Sequence, residues 1–136
     1  MASASICRVA PSLAFVKYWG KVDRERNLPA TGSLAVGIEG LYSETAVCLA
    51  ERDSVRVGGF EAPPERYAAF FENVRRTLGV EDRYQATSSN NFPTSAGLAS
   101  SSSGFAALAA ACVRASFGSG SAACDEPSLL SSLARL

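Results

Sequence analysis

The 136-residue chain carries thirteen cations, thirteen anions, four cysteines and no histidine. Formal neutrality, with no strongly basic half, gives no electrostatic support to a nucleic-acid or anionic-membrane partner. The absence of histidine excludes a Ser-His-Asp triad, a Cys-His dyad and any His-ligated metal within these residues. The longest apolar runs fall far short of the roughly 20 residues of a bilayer-spanning helix, so no membrane partner is expected. Arg8 and Pro11 interrupt the apolar start, which argues against a signal peptide. Cys7, Cys48, Cys112 and Cys124 are widely spaced with no CxxC, and read as small buried apolar residues. A reducing, cytoplasmic location is the default expectation from them.

Residues 4–10 alternate as a short strand that Pro11 breaks, and residues 13–19 form a second extended run ending at Gly20. Residues 21–27 (KVDRERN) read as a solvated charged loop, one that could border a site. Residues 33–39 (SLAVGIE) and 42–51 (YSETAVCLAE) look like the two strands of a hairpin. In the second, Thr45, Val47 and Leu49 share one face. A brief strand at 54–57 closes at Gly58-Gly59, completing a β-rich block of about five strands.

Pro63-Pro64 introduces a helix in which Tyr67, Phe70, Phe71, Val74 and Leu78 follow the i, i+3, i+4, i+7 rule. Glu65, Arg66, Glu72, Arg75 and Arg76 take its other face, and Gly79 stops it. Residues 83–90 are extended. Residues 99–117 are helical and rich in Gly and Ala, which suits close packing on a sheet. Residues 118–123 read as a flexible connection. Glu126-Pro127 opens a last helix whose pattern reaches Leu136 with no cap, as if the chain continues. The order is α+β, with helices packed on one face of a mainly antiparallel sheet.

Residues 90–105, NNFPTSAGLASSSSGF, form a tight loop feeding a helix start. Unpaired N–H groups and the positive dipole end favour phosphate oxygens there, and small residues let a phosphate approach the backbone. Ala96, Gly97, Leu98, Ala99, Ser100, Ser101 and Ser102 are the candidate cradle. The spacing matches neither a Walker A loop nor the Rossmann fingerprint. Close helix packing alone is the competing explanation.

A second candidate is Lys17, Tyr18, Trp19, Gly20 and Lys21. These hold the only two lysines among the thirteen cations, flanking the only tryptophan. An ammonium is a compact point charge suited to phosphate oxygens. The segment reads either as an anion-binding corner or as a strand end with snorkelling lysines and a core tryptophan. Glu39 and Glu44 show no spacing that marks an acid/base pair.

Three stretches, residues 10–23 (APSLAFVKYWGKVD), 27–38 (NLPATGSLAVGI) and 90–111 (NNFPTSAGLASSSSGFAALAAA), resemble the mevalonate diphosphate decarboxylase family of the GHMP kinase superfamily. The KYWGK motif sets them apart from the sister kinases, whereas Pro93, Gly97, Leu98, Ser100 and Ser101 belong to the shared superfamily pattern. The resemblance implies a GHMP-kinase-like fold in which residues 1–136 are a partial N-terminal ATP- and substrate-binding domain. It also implies use of ATP and Mg²⁺ to convert diphosphomevalonate to isopentenyl diphosphate. On this likeness Tyr18 to Lys21 contact the substrate diphosphate, Lys17 supports the phosphate-rich site, and Ala96 to Ser102 wrap the ATP phosphates. The family's catalytic Asp, its carboxylate-gripping Arg and its second domain correspond to positions beyond Leu136, so the fragment alone is expected to be inactive. The partner is a phosphorylated mevalonate, and a full-length homodimer is compatible. Residues 118–123 echo the family's Gly-Ser-Gly-Ser-Ala-x-Arg segment without its Arg and are read as a linker. Thr31-Gly32 replaces a pair that contains Asn in the family's eukaryotic members, leaving substrate preference open. A GHMP small-molecule kinase, a decarboxylase of another mevalonate phosphate, and a non-catalytic nucleotide-binding fragment are the alternatives.

Overall fold

Alternating apolar residues build one central sheet, and the chain enters it in an order that local pattern does not give. A computed structural model describes residues 3–17, 19–93 and 100–134. Its strands are β1 (Ser5–Val9), β2 (Ser12–Val16), β3 (Lys21–Asp23), β4 (Leu28–Pro29), β5 (Leu34–Gly37), β6 (Ser43–Ala50), β7 (Ser54–Val57), β8 (Phe60–Glu61) and β9 (Arg83–Asn90). Its helices are α1 (Pro64–Leu78), α2 (Ser100–Phe117) and α3 (Pro127–Leu133). The main sheet has the order β1-β6-β9-β7-β8, antiparallel except where β7 runs parallel to β9.

The expected hairpin between residues 33–39 and 42–51 does not form. β5 pairs with β2, Leu13 opposite Val36, while β6 lies between β1 and β9. Gly40, at φ 82°, turns the chain away instead of folding it back. Asn91 locks that corner by donating to the Gly40 carbonyl at 2.9 Å and accepting from the Tyr42 N–H at 2.7 Å. Between β1 and β9, β6 can bury Thr45 and Val47 against Cys7, Ala86 and the helices, which a lone hairpin cannot offer. Leu49, on the same face as Thr45 and Val47, is 44% exposed near the strand end.

The charged loop is also more ordered than its composition suggests. Lys21 and Asp23 pair with Pro29 and Leu28, and Asp23 Oδ1 accepts the Arg26 N–H at 2.9 Å inside the turn. β2–β5 and β3–β4 thus form an exposed antiparallel ribbon. A register slip between Ala14 and Val16 places a bulge at Phe15, which is 66% exposed. The bulge keeps Leu13, Val16, Leu34 and Val36 on one face of the ribbon, where all four are exposed.

The helices cover one face of the main sheet. α1 buries Phe70, Phe71 and Val74 and ends at Gly79 (φ 68°), whose N–H donates to the Arg75 carbonyl at 2.9 Å. α2 lies on β1 and β6 with Ala107, Ala109 and Ala111 fully buried, as its small residues predict. The connection over residues 118–123 runs at its end into a 3₁₀ turn over Ala122–Asp125, with Cys124 buried. Three cysteines are buried and Cys48 is half-buried, all in the free thiol form.

Buried acidic protons make the fold sensitive to alkali. Burial pushes the Tyr84 hydroxyl up to about 12, although its bond to Ser116 opposes the shift. Burial also raises the Cys112 and Cys7 thiols, with Arg114 opposing the shift at Cys7. These groups keep their protons in the folded state after the unfolded chain has lost them, so stability falls as pH rises. Chemical denaturation should show constant stability from about pH 6 to 8 and a loss of roughly 2–3 kcal/mol from Tyr84 alone between about pH 10 and 12. Flat stability to pH 12 would contradict this account of Tyr84.

Candidate functional site

The polar end of β9 and the first turn of α2 meet at one end of the sheet. Ser100, Ser101 and Gly104 open onto a cavity of about 100 Å³. Val55 and Val57 of β7, Ser88 and Asn90 of β9, and Arg66 and Tyr67 of α1 complete much of its wall. Spacing along α2 explains the selection, because Ser100, Ser101, Gly104, Phe105 and Leu108 fall on one stripe of a 3.6-residue helix.

The walls differ in chemistry. Val55, Val57, Phe105 and Leu108 provide an apolar side, and Phe105 packs against Tyr67 with ring centroids 5.6 Å apart. Ser88, Asn90, Ser100 and Ser101 supply hydroxyls and an amide. Among the described residues Arg66 is the only cation on the lining, and it lies 5.8 Å from the Tyr67 ring centroid. The first turn of α2 carries no acidic residue, so its positive end is not neutralised locally. A ligand with a flat apolar part and an anionic part fits this division.

Of the candidate cradle, the structure places Ser100, Ser101 and Ser102 in the first turn of α2, and Ser100 and Ser101 line the cavity. Ala96, Gly97, Leu98 and Ala99 lie outside the described residues. Ser103 faces the other way, into the sheet, with its hydroxyl 2.6 Å from that of Ser43. Lys17 follows β2, Trp19 is 82% exposed, and Lys21 opens β3. Tyr18 lies outside the described residues. Gly20 takes φ 79°, and its carbonyl accepts the Ala30 N–H at 3.2 Å, which sets the bend between the two strand pairs. Among the described residues, none from this ribbon lines the cavity at α2. The ribbon tip instead borders an open cavity of about 620 Å³ with Glu72, Asn73 and Arg76 of α1.

Arg66, Tyr67 and Ser88 were not candidates from sequence, and Asn90 entered only as the first residue of the 90–105 stretch. Arg66 and Tyr67 read as the solvent and core sides of α1, and only the packing of α1 beside β7 brings both to the cavity. No cluster of acidic or cysteine residues able to hold a metal occurs among the described residues.

The diphosphomevalonate decarboxylase-like N-terminal domain family matches residues 9–136. The chain belongs to that family. The phosphomevalonate decarboxylase of Haloferax volcanii is 36% identical over 111 residues, which cover 77% of this chain and 34% of that protein. The diphosphomevalonate decarboxylase of Bos taurus is 36% identical over 124 residues, 76% of this chain and 31% of that protein. The crystal structure of mevalonate diphosphate decarboxylase from Staphylococcus aureus superimposes with a TM-score of 0.83 at 33% identity. It covers 99% of this chain and 41% of its own. A complex of MDDEF with MVAPP, AMPPCP and magnesium has a TM-score of 0.77 at 34% identity, over 97% of this chain and 41% of its own. The chain therefore spans about a third of the curated relatives it matches, at their decarboxylase-like N-terminal portion. The GHMP-kinase-like fold expected from the motifs is the fold observed.

Proposed function

We propose that residues 1–136 are the ATP- and substrate-phosphate-binding part of a decarboxylase acting on a phosphorylated mevalonate. The reaction is the ATP-dependent conversion of diphosphomevalonate to isopentenyl diphosphate. The observation that carries this reading is the cavity at the start of α2, apolar on one side and hydroxyl-rich on the other, in a chain of this family. The apolar side takes one edge of the adenine, since a cavity of about 100 Å³ cannot enclose a whole nucleoside. The first-turn N–H groups and the hydroxyls of Ser100 and Ser101 take the phosphates, with Ala96 to Ser102 completing the wrap.

The donor set suits Mg²⁺. Serine hydroxyls are hard oxygen ligands, and Mg²⁺ bound with nucleotide is held mainly by phosphates and water. When bound, it neutralises phosphate charge. Ser100 and Ser101 are the described residues that would hold it.

Lys17, Trp19, Gly20 and Lys21, with Tyr18, receive the substrate phosphates. The two ammonium groups neutralise charge, and the bend at Gly20 sets their spacing along the ribbon. The task of these residues is to hold two polyphosphates in register, which is where most catalysis of phosphoryl transfer arises. No catalytic residue is assigned among the 136. Phosphomevalonate is a second candidate substrate, favoured by the likeness to the Haloferax volcanii enzyme.

Calorimetric titration of the 136-residue chain tests the reading. Mg·ATP and diphosphomevalonate should both bind, with no CO₂ released when they are combined. Lys21→Ala should weaken diphosphomevalonate about tenfold, the effect of losing one exposed charge-assisted hydrogen bond. An unchanged affinity would return the lysines to a solubilising role, and failure to bind Mg·ATP would overturn the nucleotide assignment.

A further inference from the structure

The inner face of the sheet is apolar along most of its length, but its end nearest α2 is polar. Ser43 and Thr45 of β6 are fully buried, and Ser103 of α2 is nearly so. A buried hydroxyl without a partner is costly, so each must be accounted for. Thr45 donates to the Ser88 hydroxyl at 2.9 Å. Ser43 Oγ lies 2.6 Å from both Asn90 Oδ1 and Ser103 Oγ. Ser103 Oγ also lies 3.2 Å from the Ser100 carbonyl.

Two hydroxyl protons serve these last three contacts. The two short links take them, so Ser103 donates to Ser43 and Ser43 donates to Asn90, leaving the longer carbonyl contact as a weak second branch. The result is a directed chain from α2 across β6 to β9. Ser43 and Asn90 are cross-strand partners, so its sheet end is rigid.

We infer that Ser103, Ser43 and Asn90 form a positioning pin that sets the roll and depth of the first turn of α2 over the sheet. The inference rests on the phosphate-binding reading of that turn. Ser103 points at the sheet and is held there. The helical phase then fixes Ser100, Ser101 and Gly104 on the cavity wall. Asn90 joins the two functions, since it ends the hydrogen-bonded chain and also lines the cavity. An alanine at 103 would satisfy burial and helix propensity equally well, so the hydroxyl is there for the link to Ser43. Ser103 is a positioning residue and touches no ligand in this assignment.

The test uses Ser103→Ala, Ser43→Ala and the hydroxyl-retaining Ser43→Thr in the 136-residue chain. Titration with Mg·ATP and with adenosine separates phosphate alignment from general packing. Ser103→Ala and Ser43→Ala should each raise the Kd for Mg·ATP about tenfold and leave adenosine within about twofold, because the apolar wall is not held by the pin. Ser43→Thr should restore Mg·ATP affinity. Amide hydrogen exchange at residues 104–107 should quicken in both alanine variants without any ligand. Unchanged Mg·ATP affinity in Ser103→Ala overturns the pin, as does a parallel loss of ATP and adenosine binding that tracks the fall in Tm. A parent chain that binds no Mg·ATP overturns the phosphate reading instead. In that case unchanged exchange at 104–107 in Ser103→Ala still overturns the pin.

Discussion

Phe71→Ala is expected to lower the unfolding free energy by about 3–5 kcal/mol, the range for removing a buried phenyl ring. Phe71 is only 1% exposed. Its ring stacks on Tyr84 with centroids 5.7 Å apart and meets Phe70 edge-on at 5.4 Å. It thereby joins α1 to the central strand β9. The site has little means to collapse, because Phe71 already walls a cavity of about 300 Å³ between α1 and β7. Truncation enlarges that space toward the Asp53–Arg75 ion pair, whose atoms lie 2.8 Å apart, and admits water beside it. A domain of this size has roughly 5–15 kcal/mol of total stability, so the variant should be close to unfolding at 37 °C. Urea denaturation should show a much lower midpoint with an unchanged slope. Phe60→Ala is the control: Phe60 is 81% exposed at the start of β8, and its loss should stay within about 0.5 kcal/mol. A loss below about 1 kcal/mol for Phe71→Ala would refute this packing role.

Periodicity revealed faces and stops, and it could not reveal partners. The 3.6-residue repeat from Tyr67 to Leu78 placed α1 and its buried stripe, and Gly79 ended the helix through its left-handed φ. The alternation in β6 correctly put Thr45 and Val47 on one face, which the structure buries. Nothing local told β6 to pair with β1 and β9, since a strand's pattern states how one face is buried and not by which neighbour. The ribbon misled for a related reason. LAFV and LAV read as strands of one β-rich block, yet pair with each other apart from the main sheet and leave their apolar face exposed. At the candidate site, the small residues at 96–102 suggested a phosphate cradle, of which Ser100, Ser101 and Ser102 lie among the described residues. The serine block was not resolvable residue by residue, because four identical side chains differ only in helical phase. Ser100 and Ser101 reach the cavity while Ser103 turns into the sheet. Arg66 and Tyr67 lie more than thirty residues earlier, and only tertiary packing brings them there.

Gly104→Leu is expected to weaken Mg·ATP binding by more than about tenfold while leaving the chain at least as stable as before. The two halves of that expectation have separate causes. Gly104 sits one turn into α2 and lines the cavity, so a branched side chain there occupies the volume assigned to the nucleotide. The backbone has no reason to object. A Cβ built at Gly104 meets nothing within 4 Å, and its φ is not in the left-handed region. Replacing glycine inside a helix removes a destabilising residue, a gain of about 0.5–1 kcal/mol for alanine. Gly104→Ala therefore separates the effects, because a single methyl group should raise Tm and reduce nucleotide affinity only slightly. Ordinary loss-of-function variants lose binding and stability together. A variant that binds worse while melting higher locates the ligand in the cavity. Undiminished Mg·ATP affinity in Gly104→Leu would place the nucleotide elsewhere on the domain.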